Sequence, residues 1–306
     1  MHDTSLVAAV LGPTGSGKSA VAAIIAGATG SEIVSVDSMQ VYCGMDVGTA
    51  KPTAEERARI PHHMVDVVDP SEAYSVAQFR AEARRSTASV GGPLLIAGGS
   101  GLHFRSLIDP FDFAPRDEEV RADLECREVE ELQGELLAAD SEAADHVDFA
   151  NSRRVIRAAE ILRLTGATPS DRAASPRAQA VREYESEVSV VAVGLDPGDA
   201  LPQRLEARFD GMLAAGLVEE VRGLVGVWGP TAAQAVGYRE MGRVVTGEWP
   251  FEEGRRRSIE ATRALARRQR TYFRRDPRIK WMDWHDDPEV VAASVTGVFE
   301  EAGWTL

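Results

Sequence analysis

The chain has 306 residues, 44% of them hydrophobic and 27% charged, with a formal net charge of −14. That is the composition of a globular protein, with room for one large α/β domain carrying an insertion or for two modest domains. Its two cysteines, Cys43 and Cys126, share no metal or redox spacing and fit a reduced cytosolic chain better than a disulfide framework.

The N-terminus carries no basic region ahead of its first apolar run, so no signal peptide is expected, and no stretch is long enough to span a membrane. That first run, residues 5–11, reads as a buried strand. It leads into Gly12, Pro13, Thr14, Gly15, Ser16, Gly17, Lys18 and Ser19, a full G-x-x-x-x-G-K-[ST] loop. Residues 20–28 then form an Ala/Ile/Val-rich helix. A glycine-rich loop between strand and helix turns successive backbone N–H groups toward phosphate oxygens, at the positive end of the helix. Lys18 is placed for the terminal phosphates and Ser19 for Mg²⁺. The motif specifies a polyphosphate without saying which one.

Residues 32–37 read as the next strand, ending in Asp37, followed by a polar loop over 38–52. Asp37 has three open readings: a water-mediated hold on Mg²⁺, a general base, or a turn cap. Gln40 carries an amide able to pair with an adenine edge. Residues 63–68 read as a strand, and 76–90 as a helix capped by Ser75 and ended by Gly91 and Gly92. The apolar run 94–97 stops at a glycine-rich turn holding Ser100, which reads either as a donor to a phosphate oxygen or as a turn serine with no further role. His62 and His63 lack a third ligand at useful spacing and are assigned a structural role. Strand and helix alternate through this stretch, which implies a parallel sheet flanked by helices. The loops at 12, 38 and 98 should then converge at the carboxyl ends of its strands.

From about residue 110 the pattern becomes helical, over 117–139 and over 152–165, the latter capped by Asn151 and stopped by Gly166. Residues 167–180, rich in Pro, Ser and Ala, read as loop. Strand character returns at 188–195. Helices follow at 201–215 and 217–225, broken at Gly216, then a long helix at 252–273, a short strand at 280–282 and a final helix at 289–301. The expected domains are an α/β core of 1–109 and 188–306 and a helical insertion of 110–187.

Net charge argues against nucleic acid, but its distribution does not. Between Arg255 and Lys280 stand eleven Arg and Lys against Glu260 and Asp276, a local +9. Such a stripe can bind a phosphate backbone on an acidic protein. Arg153, Arg154 and Arg157, with Arg163 beyond, make a second basic surface on the insertion.

Taken in order, these segments resemble the bacterial tRNA dimethylallyltransferases, also called tRNA isopentenyl-pyrophosphate transferases. The resemblance is carried by the loop 12–19 and by Asp-Ser-Met-Gln-Val-Tyr (37–42), Gly-Met-Asp-Val-Gly-Thr-Ala-Lys-Pro (44–52) and Pro-His-His-Met-Val-Asp-Val-Val-Asp-Pro (61–70). Gly-Gly-Ser-Gly-Leu (98–102), Arg-Arg-Val-Ile-Arg-Ala (153–158), Ala-Val-Gly-Tyr-Arg-Glu (235–240) and Arg-Arg-Gln-Arg-Thr-Tyr-Phe-Arg-Arg (267–275) complete it. It implies a P-loop NTPase-like α/β fold with a helical insertion domain.

It also implies transfer of a dimethylallyl group from dimethylallyl pyrophosphate to the exocyclic amine of the adenine just 3′ of the tRNA anticodon. The loop would then hold a leaving group rather than ATP, and the adenine would have to leave its stack. In that reading Asp37 is the general base, with Lys18, Ser100, Arg239 and Mg²⁺ on Ser19 serving the pyrophosphate. The implied tRNA contacts are Asp37, Ser38, Met39, Gln40, Ser100, Arg121, Arg153, Arg154, Val155, Ile156, Arg157, Arg267, Arg268, Arg270 and Arg274. The expected partners are the tRNA anticodon stem-loop and the prenyl donor, with no membrane, for a cytoplasmic monomer. Departures are small: Gly15 stands where Ala is usual, and Ser stands for Thr at 19 and 100, with a freer χ1. The rivals are a prenyltransferase of free adenine nucleotides, a small-molecule kinase and a non-catalytic RNA-binding protein.

Overall fold

A computed structural model describes residues 6–304. Six parallel strands form one sheet: β1 Val7–Leu11, β2 Glu32–Ser35, β3 His62–His63, β4 Leu94–Gly98, β5 Val190–Leu195 and β6 Ile279–Met282, in the order β3-β2-β4-β1-β5-β6. β1 is buried along its whole length. Because side chains alternate across a strand, Val7, Ala9 and Leu11 enter one core while Ala8 and Val10 enter the other. Both faces of the sheet are therefore covered, as an all-parallel sheet requires.

One covering layer is the helix Lys18–Thr29, closed by Gly30 in the left-handed region (φ 66°), with the terminal helix Pro288–Glu301 beside it. The chain leaves β1, passes over the position of β4 to build β2, and returns to fill the gap. Such a reversal opens a crevice at the carboxyl end of the strands. The phosphate loop, Asp37 and Ser100 follow β1, β2 and β4 there.

The chain divides into two compact units, residues 1–108 with 188–306, and residues 109–187. The second unit has its own core of Leu124, Leu132, Leu136, Val155 and Ala159. Buried Glu160 is satisfied there by Arg157 at 2.7 Å, by Arg121 at 3.7 Å and by the Asp117 N–H at 3.2 Å.

The structure revises several local readings. Ser5 lies outside the described residues, and the first strand starts at Val7. The strand expected at 63–68 is only His62–His63, because Met64 and Asp66 take positive φ; Val68 returns as a single bridge to Tyr42. The helix expected to run to 90 ends at Ser86, ahead of its glycines. The pattern over 117–139 is two helices, Glu118–Glu125 and Val129–Ala139.

Residues 167–180 are not loop: Pro169–Ala174 and Pro176–Arg182 are helices, each opened by proline. Thr168 and Ser175 accept from the N–H groups of Asp171 and Ala178, so the Pro and Ser that suggested a loop are helix-start signals. Four short α-helices among the described residues went unread: Ala54–Arg59, Gly101–Ile108, Ala143–His146 and Tyr238–Val245.

Phe299 is fully buried, its ring edge-on to Trp304 at 5.4 Å. Phe299→Ala should therefore destabilise the chain by about 3–5 kcal/mol, read as a lower urea midpoint with unchanged m-value. A loss under 1 kcal/mol would show that the terminal helix packs independently of the sheet.

Candidate functional site

The phosphate loop is held in shape from outside. Gly15 and Gly17 sit at φ 79° and 87°, and a methyl group on Gly12 would lie 2.4 Å from the Leu195 carbonyl oxygen. Outward-facing carbonyls are claimed by side chains: Arg204 Nε donates to Gly15 O at 3.0 Å and Trp284 Nε1 to Ser16 O at 3.3 Å. Arg204 also lies over the Trp284 ring. On another side the Thr14 N–H donates to Gln269 Oε1 at 2.9 Å, tying the loop to the helix Phe251–Arg274. Pro13 O accepts from Lys18 Nζ at 3.2 Å. Ser16 Oγ is buried with no hydrogen-bond partner, and no partner holds the exposed Ser19 hydroxyl among the described residues.

Asp37 stands two residues past the end of β2. Its Oδ1 accepts the N–H groups of Met39 (2.8 Å) and Gln40 (3.3 Å), while Oδ2 has no partner among the described residues. One oxygen therefore caps the turn and the other remains available, so the structural and functional readings coexist in one carboxylate. Gln40 is different. Its Oε1 accepts from Ser35 at 2.8 Å and its Nε2 donates to the carbonyls of Thr49 and Ala50 at 3.2 and 3.3 Å. The amide expected to read a base is the brace of its own loop. Met39 packs partly buried on the core, and Ser38 lies half-buried between them.

Ser100 donates its backbone N–H to Val36 O at 2.9 Å, which carries the β2–β4 pairing one step beyond the strands. Its hydroxyl lies 2.6 Å from His103 Nδ1. Arg239 is half-exposed and pairs with the neighbouring buried Glu240. Sequence reasoning missed Arg208, on the helix Leu201–Ala214. Burial lowers its pKa and the charge of Asp37 opposes that; its own charge in turn acts on Lys18. No carboxylate pairs with Arg208 among the described residues. An Arg inside an amphipathic helix gives no local signal of this role.

Beside the loop a cleft open to solvent is lined by Thr14 and Arg208 at its polar side and by Leu205, Phe209, Met212 and Val236 elsewhere. Its chemistry suits a molecule with a charged head and a short apolar tail.

The arginine-rich segments are less free than their count implied. Seven of the eleven cations between 255 and 280 are paired: Arg255 with Asp210 and Glu206, Arg256 and Arg257 with Glu253, Arg263 with Glu206, Arg270 and Arg274 with Asp196, and Arg278 with Asp276. Arg267, Arg268, Arg275 and Lys280 are exposed, with no partner among the described residues.

In the helical unit Arg153 is exposed and unpaired among the described residues, and Arg154 meets Asp148 at 3.4 Å. Arg121 pairs with Glu125 at 2.8 Å, and Arg157 pins the carbonyls of Ala114 and Pro115. Val155 is fully buried and Ile156 half-buried in that unit's core, so the Val155 side chain cannot meet RNA as expected. His62 and His63 bond Ile60 O (2.7 Å) and Glu32 (2.6 Å), and no cluster of three metal-ligating side chains occurs among the described residues.

Sheet order, loop and flanking cations define a phosphate-loop α/β protein with a partly apolar cleft beside its loop. The sequence model of the family described as IPP transferase matches residues 40–276, and that described as isopentenyl transferase matches residues 5–66. The chain is 40% identical to the tRNA dimethylallyltransferase of Moorella thermoacetica over 302 residues, covering 93% of this chain and 91% of that protein. It is also 40% identical to that of a Nocardioides species, with 95% of each covered. Among solved structures, the tRNA isopentenylpyrophosphate transferase of Bacillus halodurans superposes with a TM-score of 0.69 at 34% identity, covering 98% of both chains. A eukaryotic dimethylallyltransferase shares the fold, with a TM-score of 0.80 at 24% identity over 98% of this chain and 80% of that one. The chain belongs to the IPP transferase family.

Burial and the charge of Arg208 push the Lys18 ammonium down to about 8, against the pull of Asp37. Only the protonated form attracts a phosphate, so above that pH binding must take up a proton. Affinity for inorganic pyrophosphate should fall between pH 8 and 10, by at most about tenfold per unit. In Lys18→Arg, which cannot titrate there, the fall should vanish. Comparing the two proteins by calorimetry cancels the ligand's own ionisation, and identical pH profiles would refute the assignment.

Proposed function

We propose that the protein transfers a dimethylallyl group from dimethylallyl pyrophosphate to the N6 amine of the adenine 3′-adjacent to the tRNA anticodon, releasing pyrophosphate. The observation that carries this reading is the phosphate loop opening onto an apolar cleft, with Arg208 and Thr14 at their junction. The names of the curated relatives point the same way. Family membership favours it over a kinase or a prenyltransferase of free nucleotides.

The pyrophosphate lies in the loop and the prenyl tail in the cleft. The N6 lone pair bonds to C1 of the dimethylallyl group while the C1–O bond breaks, its electron pair leaving with pyrophosphate. Charge grows on the departing oxygens, where Lys18, Arg208 and the loop N–H groups are already oriented; Ser100 and Arg239 add donors. The proton displaced from N6 passes to Asp37 Oδ2, its other oxygen being fixed by the turn.

Mg²⁺ fits the residues present: the free Ser19 hydroxyl is a hard donor that would hold it, with its other positions left to water and phosphate oxygens. When bound it would neutralise pyrophosphate charge. On the same reading both units contact tRNA, through Arg267 and Arg268 in one and Arg153 and Arg154 in the other. The protein acts as a cytoplasmic monomer. No described helix is long and apolar enough to cross a membrane.

Incubation with dimethylallyl pyrophosphate, Mg²⁺ and either tRNA or AMP, followed by mass analysis, tests the substrate directly. Modified AMP with unmodified tRNA would overturn the proposal. Asp37→Asn should lower single-turnover prenylation by about 10²–10⁴-fold without recovery at saturating Mg²⁺; recovery would make Asp37 a metal holder.

The pairing pattern sharpens the RNA prediction. Arg268→Ala should reduce the salt dependence of tRNA binding by about one phosphate contact, whereas Arg256→Ala, already neutralised by Glu253 and Glu260, should leave it unchanged. Equal effects in both variants would remove the distinction between free and paired arginines.

A further inference from the structure

We propose that His103 is a positioning residue that holds the Ser100 hydroxyl with its proton directed at the pyrophosphate; the inference rests on the reading of the site given above. Ser100 immediately precedes the helix Gly101–Ile108 and its carbonyl accepts from Phe104 N–H at 3.0 Å, so it occupies the position of an N-cap. A serine there ordinarily turns its hydroxyl back onto the N–H two or three residues on. Here Oγ goes instead to the imidazole of that third residue, His103 Nδ1 at 2.6 Å, and it has no other partner among the described residues.

The imidazole is fixed. His103 is 8% exposed, and Phe79 meets it edge-on, with ring centroids 4.5 Å apart and planes at 89°. Burial pushes its pKa down to about 4, with the Asp37 charge pulling the other way, so it stays neutral at physiological pH.

A neutral imidazole has one N–H and one bare nitrogen. If Nδ1 is bare, the serine O–H is consumed by it and offers a phosphate oxygen only lone pairs. If Nδ1 carries the proton, it donates to Ser100 Oγ and leaves the O–H free for an anion. Only the second tautomer makes Ser100 a donor, and an approaching pyrophosphate selects it. Serine also has one heavy atom on Cβ, leaving its χ1 wells open where threonine is stiff. The fixed ring supplies the restraint that the γ-methyl group would otherwise provide.

The test is a double-mutant cycle, read as single-turnover prenylation of tRNA and as the dissociation constant of inorganic pyrophosphate with Mg²⁺. His103→Leu should lower both rate and affinity by about ten- to hundredfold. His103→Asn, whose amide can donate from nearly the position of Nδ1, should restore most of the loss. In a Ser100→Ala background, His103→Leu should add less than about twofold. In a Ser100→Thr background its cost should shrink, because the stiffer side chain no longer needs the ring.

Thermal unfolding of each variant separates misfolding from misplacement, and the Asn arm decides the matter if Leu is not tolerated. Multiplicative losses in the cycle, or Asn failing as badly as Leu, would overturn the proposal. If the unmodified protein bound pyrophosphate but transferred no prenyl group, the functional reading would fail, and the affinity cycle would still decide His103.

Discussion

The site turns on an imbalance of charge at the end of the central strand. Lys18, half-buried, and Arg208, exposed at the edge of the cleft, interact there with a single carboxylate, Asp37. Elsewhere in this chain arginines are mostly matched: Arg255 with two acids, Arg270 and Arg274 sharing Asp196. A partly desolvated, under-neutralised pair of cations costs free energy, and folded proteins keep such pairs where an anion is to be bound. The cost must be met by rigid surroundings. The Leu195 carbonyl against Gly12, Arg204 and Trp284 on the outer carbonyls and Gln269 on the Thr14 N–H supply them.

Those braces come from distant parts of the chain, which governs what could be read in advance. The phosphate loop is legible because every feature it needs is local: glycines at set spacing, a lysine, and an apolar strand before it. Caps are local too, and Asn151 and Ser75 are where the pattern put them. Arg208 is not local. Its helix reads as an ordinary amphipathic segment, and only the sheet order brings it beside Lys18. His103 escaped for the opposite reason. It lies three residues from Ser100, but nothing in a sequence says that a hydroxyl will prefer a ring to a backbone N–H.

Gln40 and the basic helix show a further limit. Counting chemistry along a sequence treats each polar group as free, whereas a folded chain consumes most of them. The Gln40 amide is taken by Ser35, Thr49 and Ala50, and seven of the stripe's eleven cations are taken by carboxylates, four of them by acids on other elements. The net charge of −14 and the basic stripe are therefore not opposing clues. Part of the acidic excess is what holds the arginine-rich helix to the sheet, leaving a short run of free cations at Arg267 and Arg268.

The proposed chemistry also constrains its own order of events. A neutral exocyclic amine is so weakly acidic that no carboxylate could remove its proton beforehand. Once the N6–C1 bond is forming, the nitrogen takes on positive charge and its proton becomes strongly acidic. A weak base then suffices, and a stronger one would only risk pairing with the cations that serve the leaving group. Bond formation thus precedes or accompanies proton loss. The division of Asp37 into one oxygen fixed by the turn and one left open suits that task, because the acceptor must be in place when the acidity appears rather than create it.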